Sequence, residues 1–193
     1  MVRKNQVREY CLGRDNGAMR LLFIGDSLIE FFDWETRFAG HEVYNFGVAG
    51  ETVEGLYRRL PAIVAKVPFP DFVFVMSGIN NLAMEDSGFI TTYGAVIERL
   101  RHAWPSVRIF VHSLLPVGTP FLSNDEIRAM NSRLRALAEQ ERAGYADIHP
   151  LFLDESGVPN ASCLLEDGVH LSDTGYRLWS ARIEEIITRT IEG

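Results

Sequence analysis

The amino-acid sequence predicts an α/β fold built on a parallel sheet that is covered on both faces. Three observations lead there. Short apolar runs alternate with stretches of helical spacing from Leu21 to the C-terminus, the pattern of strand–helix units that feed a parallel sheet. The runs are continuous rather than alternating, which suits strands buried on both sides. Small and polar residues follow several of the runs, at the carboxyl edge where open parallel sheets bind ligands.

Taken in order, residues 1–20 fit no strand and read as an extra helix or arm. Leu21–Ile24 is the first strand, and Phe31, Phe32 and Trp34 crowd the helix after it. These aromatics read as core or helix-packing residues rather than as an acyl pocket. Val43–Phe46 is the second strand, followed by a stripe of Val53, Leu56, Tyr57, Leu60 and Val64 at helical spacing. Phe72–Met76 is the third strand, followed by the stripe Tyr93, Val96, Ile97, Leu100 and Trp104. Val107–Val111 is the fourth, followed by Ile127, Met130, Leu134 and Leu137. A weaker fifth run spans Tyr145–Ile148, and Trp179, Ile183, Ile186 and Ile187 form the last helical stripe. Pro105 and Gly144 fall where two helices should stop. With no repeat and no Pro/Gly/Ser-rich linker, residues 1–193 read as one domain.

Composition bounds the function. The 193 residues are 47% hydrophobic and 23% charged, enough apolar content for one packed core and too much for disorder. No run approaches the ~18 apolar residues of a membrane span. Arg3, Lys4 and Arg8 are followed by polar residues where a signal peptide would be apolar, so the expectation is a cytoplasmic protein. A net charge of -7 argues against nucleic acid as the main partner. Cys11 and Cys163 are too few for a disulfide framework and form no CxxC pair, so both read as small buried hydrophobes and no metal is expected. Asn160-Ala161-Ser162 is read as a chance match to a glycosylation sequon.

Four polar segments carry the chemistry: Gly25-Asp26-Ser27-Leu28, Asn45 to Thr52, Ser77-Gly78-Ile79-Asn80-Asn81, and Asp167-Gly168-Val169-His170. Alone, Gly-Asp-Ser or Asp-x-x-His is common in turns. In this order, each at a strand or helix edge, they resemble the four signature blocks of the SGNH (GDSL) hydrolase superfamily. The stretches 45–60 and 167–176 look most like its platelet-activating-factor acetylhydrolase-like branch. The resemblance covers about Leu21 to Ile187. It implies a three-layer α/β/α, flavodoxin-like domain with a mostly five-stranded sheet, and no cofactor.

The resemblance assigns Ser27 as nucleophile, His170 as its base 143 positions later, and Asp167 as the group orienting the imidazole. The alternative for the last pair is a surface Asp-Gly turn followed by an exposed histidine. The family pattern gives three oxyanion donors: the backbone N–H of Ser27, the backbone N–H of Gly47 and the side-chain amide of Asn80. If the sheet has order 2-1-3-4-5, Gly47 and Asn80 flank Ser27. Asp26 is expected to organise its turn by accepting backbone hydrogen bonds, and Asn45 is kept outside the chemistry. Thr52 either supports the Gly47 loop or caps a helix. Asn81 stands where the family often has aspartate, a departure that removes a charge near the site. His112 is expected to be a satisfied core histidine, and His41, His102 and His149 are given no chemistry.

The expected activity is hydrolysis of a small-molecule carboxylic ester through an acyl-enzyme, with short acyl groups such as acetyl favoured. Longer-chain lipase, thioesterase or acyltransferase activity with the same triad is the alternative, and a non-catalytic binding protein is a second class. The branch resemblance allows a homodimer.

Overall fold

The computed structural model describes residues 17–192. Among these residues five strands form one sheet in the order β2-β1-β3-β4-β5, with every pairing parallel. They are β1 (Arg20–Gly25), β2 (Glu42–Gly47), β3 (Phe72–Met76), β4 (Arg108–His112) and β5 (Gly144–Ala146). The central strands β1 and β3 are buried from Leu21 to Gly25 and from Phe72 to Met76, as continuous apolar runs require.

Among the described residues, seven α-helices connect and cover the strands: α1 (Ser27–Glu30), α2 (Trp34–Arg37), α3 (Val53–Lys66), α4 (Ile79–Ala83), α5 (Ile90–Ala103), α6 (Asn124–Gln140) and α7 (Asp173–Glu192). The long helices bury the predicted stripes, including Leu56 and Leu60 on α3, Tyr93 and Leu100 on α5, Leu134 on α6, and Trp179 and Ile183 on α7. On one face of the sheet Phe23 stacks on Trp34 at 4.3 Å and on Phe74 at 5.2 Å, and Trp34 meets Trp179 of α7 edge-on at 5.1 Å. That aromatic layer joins the first strand to the last helix.

Several local readings change. Gly144 does not end a helix. Helix α6 stops at Gln140, Arg142 takes the left-handed turn (φ 53), and Gly144 opens β5. The fifth strand is correspondingly short, and Ile148 and His149 lead into a 3-10 turn. Pro61 lies inside α3, where it leaves the Tyr57 carbonyl without its helical donor. Arg99 of α5 reaches that carbonyl at 3.5 Å, with its guanidinium 4.3 Å above the Tyr57 ring. Arg20, expected within an arm over residues 1–20, instead begins β1; residues 1–16, with Cys11, lie outside the described residues. Cys163 is buried, as expected.

Candidate active site

Register brings the polar segments together. Gly25 at the end of β1 pairs with Gly47 on one side and Met76 on the other, so the chain after β1 emerges between the segments after β2 and β3. Asp26 caps the short helix α1, its Oδ1 accepting from Leu28 N at 3.1 Å. This sharp turn places Ser27 at the first helical position, with only 7% of its surface exposed.

The histidine arrives from the far end of the chain. Asp167 Oδ1 accepts from Val169 N at 2.8 Å and from His170 N at 2.9 Å, and Gly168 closes the turn in the left-handed region (φ 71). Both side chains therefore project from one loop. Asp167 Oδ2 lies 2.6 Å from His170 Nδ1, and His170 Nε2 lies 3.0 Å from Ser27 Oγ. A carboxylate beside Nδ1 requires the proton there, which leaves Nε2 free to accept from the serine hydroxyl. The hydrogen bond from His170, reinforced by the Val169 amide, holds the Asp167 carboxyl down at about 2. Asp167 is thus an anion throughout the neutral range, and the isolated surface-turn reading is set aside by the contact to Ser27.

The structure corrects the expected place of Gly47. Its N–H donates to Asn45 Oδ1 at 2.9 Å, so that amide is engaged inside the protein. A Cβ at Gly47 would lie 2.2 Å from Glu30 N, so the backbone that approaches closely belongs to α1 rather than to a substrate. Asn45, kept outside the chemistry in the sequence reading, ties this corner together by donating to the carbonyls of Ile29 at 3.1 Å and Phe32 at 3.3 Å. In the turn that follows, Glu51 N donates to Val48 O at 3.1 Å, and Gly50 takes the left-handed position (φ 73). Asn80 lies against the same turn, its Nδ2 donating to Glu51 O at 3.0 Å.

Sequence reasoning missed Arg59 altogether. From the second turn of α3 it donates from Nε to Glu51 Oε1 and from Nη2 to Glu51 Oε2, both at 2.6 Å. The same Nη2 reaches Phe46 O at 2.6 Å and Gly25 O at 3.3 Å. Thr52 caps α3 by accepting from Gly55 N at 3.3 Å, which settles its two readings in favour of the cap. Asn81 is a buried junction. Its Oδ1 accepts from Val53 N at 3.0 Å, and its Nδ2 donates to Glu54 Oε2 and Asp86 Oδ2, both at 2.8 Å. The two carboxylates supply the charge that the asparagine lacks, and an amide can donate to both while accepting from Val53 N, which neither a carboxylate nor an ammonium could do.

Two buried groups lie nearby. Among the described residues Asp26 has no partner on Oδ2, and burial, aided by the Glu51 charge, pushes its carboxyl up to about 7. His112 is a core histidine as expected, stacked on Phe74 at 5.7 Å, but neither ring nitrogen has a partner among the described residues. It is unsatisfied, and burial pushes it down to about 3. Phe31 also departs from expectation. While Trp34 is fully buried, Phe31 is 56% exposed, with its ring 5.2 Å from the His170 ring at the mouth of the site. Beside the Asp167 turn, Val117, Pro120, Pro159, Leu164 and Leu165 line an open groove. Among the described residues no group of three or more His, Cys, Asp or Glu side chains is arranged to hold a metal ion. Among the same residues no helix is long and apolar enough to cross a membrane.

Fold and site together define a class, an α/β/α hydrolase of the SGNH type that cleaves esters. The sequence pattern of the GDSL-like Lipase/Acylhydrolase family matches residues 23–178, and the chain belongs to that family. It is 27% identical over 177 residues to the platelet-activating factor acetylhydrolase IB subunit alpha1 of Bos taurus, covering 89% of this chain and 76% of that one. The lipase/acylhydrolase from Enterococcus faecalis superposes with a TM-score of 0.71 at 20% identity, covering 89% of this chain and 96% of its own. Axe2, an acetylxylan esterase from Geobacillus stearothermophilus, gives 0.67 at 19% identity over 86% and 92% of the two chains.

Proposed function

We propose that the protein is a serine esterase working through an acyl-enzyme, with Ser27 as nucleophile, His170 as general base and acid, and Asp167 as the orienting anion. The observation that carries this reading is the hydrogen-bonded chain from Ser27 Oγ through His170 to Asp167, at 3.0 and 2.6 Å. His170 Nε2 takes the hydroxyl proton as Oγ adds to the ester carbonyl. The same proton passes to the departing alkoxide when the tetrahedral intermediate collapses. Water then repeats the sequence on the acyl-serine, releasing the carboxylic acid and restoring the hydroxyl. The imidazolium formed between these steps lies against the Asp167 carboxylate, whose position two backbone N–H groups hold.

The oxyanion requires donors that are free in the resting protein. The Ser27 N–H at the start of α1 and the second hydrogen of the Asn80 amide meet that condition, since Asn80 uses one hydrogen on Glu51 O. Gly47 does not, because Asn45 holds its N–H. The third donor in this reading is the N–H of Gly50, in the turn that Asn80 touches.

The acyl group is short, acetyl in the first instance. The names of two similar proteins, an acetylhydrolase subunit and an acetylxylan esterase, support that preference. Ser27→Ala should abolish hydrolysis of p-nitrophenyl acetate while leaving the unfolding transition in place; undiminished turnover would overturn the reading. A series of p-nitrophenyl esters should show kcat/KM falling with acyl length, and a maximum at eight carbons or beyond would refute the acetyl preference.

A further inference from the structure

We propose that Arg59 and Glu51 form a positioning pair for the oxyanion site, an inference that rests on the esterase reading above. The pair is well enclosed, with side-chain exposures of 22% for Arg59 and 9% for Glu51. Taking two opposite charges out of water carries a desolvation cost that a plain apolar contact would not. The geometry shows what the charges do there.

The planar guanidinium grips both oxygens of Glu51 at 2.6 Å. It also donates to Phe46 O and Gly25 O, near the ends of the two strands that lead to the Gly50 turn and to Ser27. One side chain therefore ties the Val48–Glu51 turn to β1 and β2 together. Glu51 extends the link through its backbone, because its carbonyl accepts the Asn80 amide at 3.0 Å. Two of the three proposed donors, Gly50 N–H and Asn80 Nδ2, thus take their places from the Arg59 fork. Lysine could not repeat this, since a single ammonium lacks the planar fork that spans four acceptors. The hydrogen bonds of the Arg59 and Glu51 side chains go to one another and to the Phe46 and Gly25 carbonyls rather than to Ser27 or His170. The nucleophile and base should therefore keep their geometry when the fork is removed. Oxyanion stabilisation alone should suffer.

The test uses the full chain with Arg59→Met, Arg59→Lys and Glu51→Gln, and an Arg37→Met control that breaks a separate ion pair with Glu184. For each, kcat and KM for p-nitrophenyl acetate are measured, with the inhibition constant of an alkyl trifluoromethyl ketone whose hemiketal oxyanion occupies the same place. Arg59→Met should lower kcat about 10- to 100-fold, less than outright loss of a donor, and weaken the ketone in parallel. KM should stay within about twofold, as expected for contacts made only in the transition state. Arg59→Lys should recover part of both, Glu51→Gln should show a smaller parallel loss, and Arg37→Met should match the unaltered protein. A folded Arg59→Met with unchanged kcat, or with kcat lowered but ketone affinity intact, would overturn the proposal. If Arg59→Met does not fold, unchanged kcat and ketone affinity in both conservative variants would do so. Failure of the unaltered protein to hydrolyse the ester would instead remove the esterase reading, and the positioning role with it.

Discussion

Asp26→Asn and His112→Phe should tilt the pH dependence of stability in opposite directions. Folded Asp26 keeps its proton up to about pH 7, whereas the unfolded carboxyl releases it near 3.8. Between those values the folded state binds more protons, so stability falls by about 1.4 kcal/mol per pH unit as pH rises. His112 behaves in the opposite sense. Folded, it accepts a proton only near 3, while the unfolded imidazole does so near 6.5. Across that span the unfolded state binds more protons, and stability rises with pH at a similar slope of about 1.4 kcal/mol per unit. The spans overlap from about pH 4 to 6.5, where the two groups offset one another. The carboxylates held low, such as Asp167 and Asp86, act at the acid end of this interval or below it.

Removing one group uncovers the other. Relative to the unaltered protein, Asp26→Asn should gain about 3 kcal/mol of unfolding free energy between pH 4 and 6.5, and His112→Phe should lose about as much. Urea unfolding followed by tryptophan fluorescence at half-unit pH steps measures both slopes. Each substitution also shifts stability by a pH-independent amount, since the amide introduced at position 26 would lack an acceptor and the phenyl ring introduced at position 112 would bury no polar atom. The slope is therefore the quantity to read. Curves for Asp26→Asn and the unaltered protein that run parallel through this interval would refute the reasoning for Asp26, and parallel curves for His112→Phe would refute it for His112.

Two further outcomes follow from the site. Asn81→Asp would replace the amide that donates to Glu54 and Asp86 with a third carboxylate, and should cost about 2–4 kcal/mol at pH 8. The loss should shrink at pH 4, where protons can bridge the oxygens; equal stability at pH 8 would contradict this account. Asp167→Asn should lower kcat by about 10²–10⁴-fold by losing the anion that fixes the imidazole, measured with p-nitrophenyl acetate at pH 7.5. Retention of full kcat would remove Asp167 from the proposed chemistry.

The strand runs and helical stripes were readable because burial on both faces writes itself into continuous apolar sequence. Ser27, Asp167 and His170 were readable because each sits in a short local motif. The Gly47–Gly50 stretch was ambiguous for a physical reason. Two glycines in four residues look alike, and which N–H is free depends on where the Asn45 side chain turns. Arg59 left no signal, since a charged residue on a helix reads as solvated until the fold brings Glu51, Phe46 and Gly25 to it. Asn81 read as a lost charge because Glu54 lies 27 positions away. Gly144 reads as a helix end because glycine serves a helix end and a strand start equally well, whereas in the fold Arg142 makes the turn two residues earlier.

The contact between Ser27 and His170 spans 143 positions of sequence, and Tyr176 Oη closes a loop of 148 by donating to Leu28 O. The proposed nucleophile sits on α1 directly after β1, whereas its proposed base lies in the loop before α7. Such distant pairings are slow to close because the entropy of the intervening chain must be overcome first. A nascent chain can therefore carry a formed Gly-Asp-Ser turn and still be chemically silent. If Ser27 and His170 act as proposed, reactivity towards esters should switch on only when α7 docks and brings the His170 loop to Ser27.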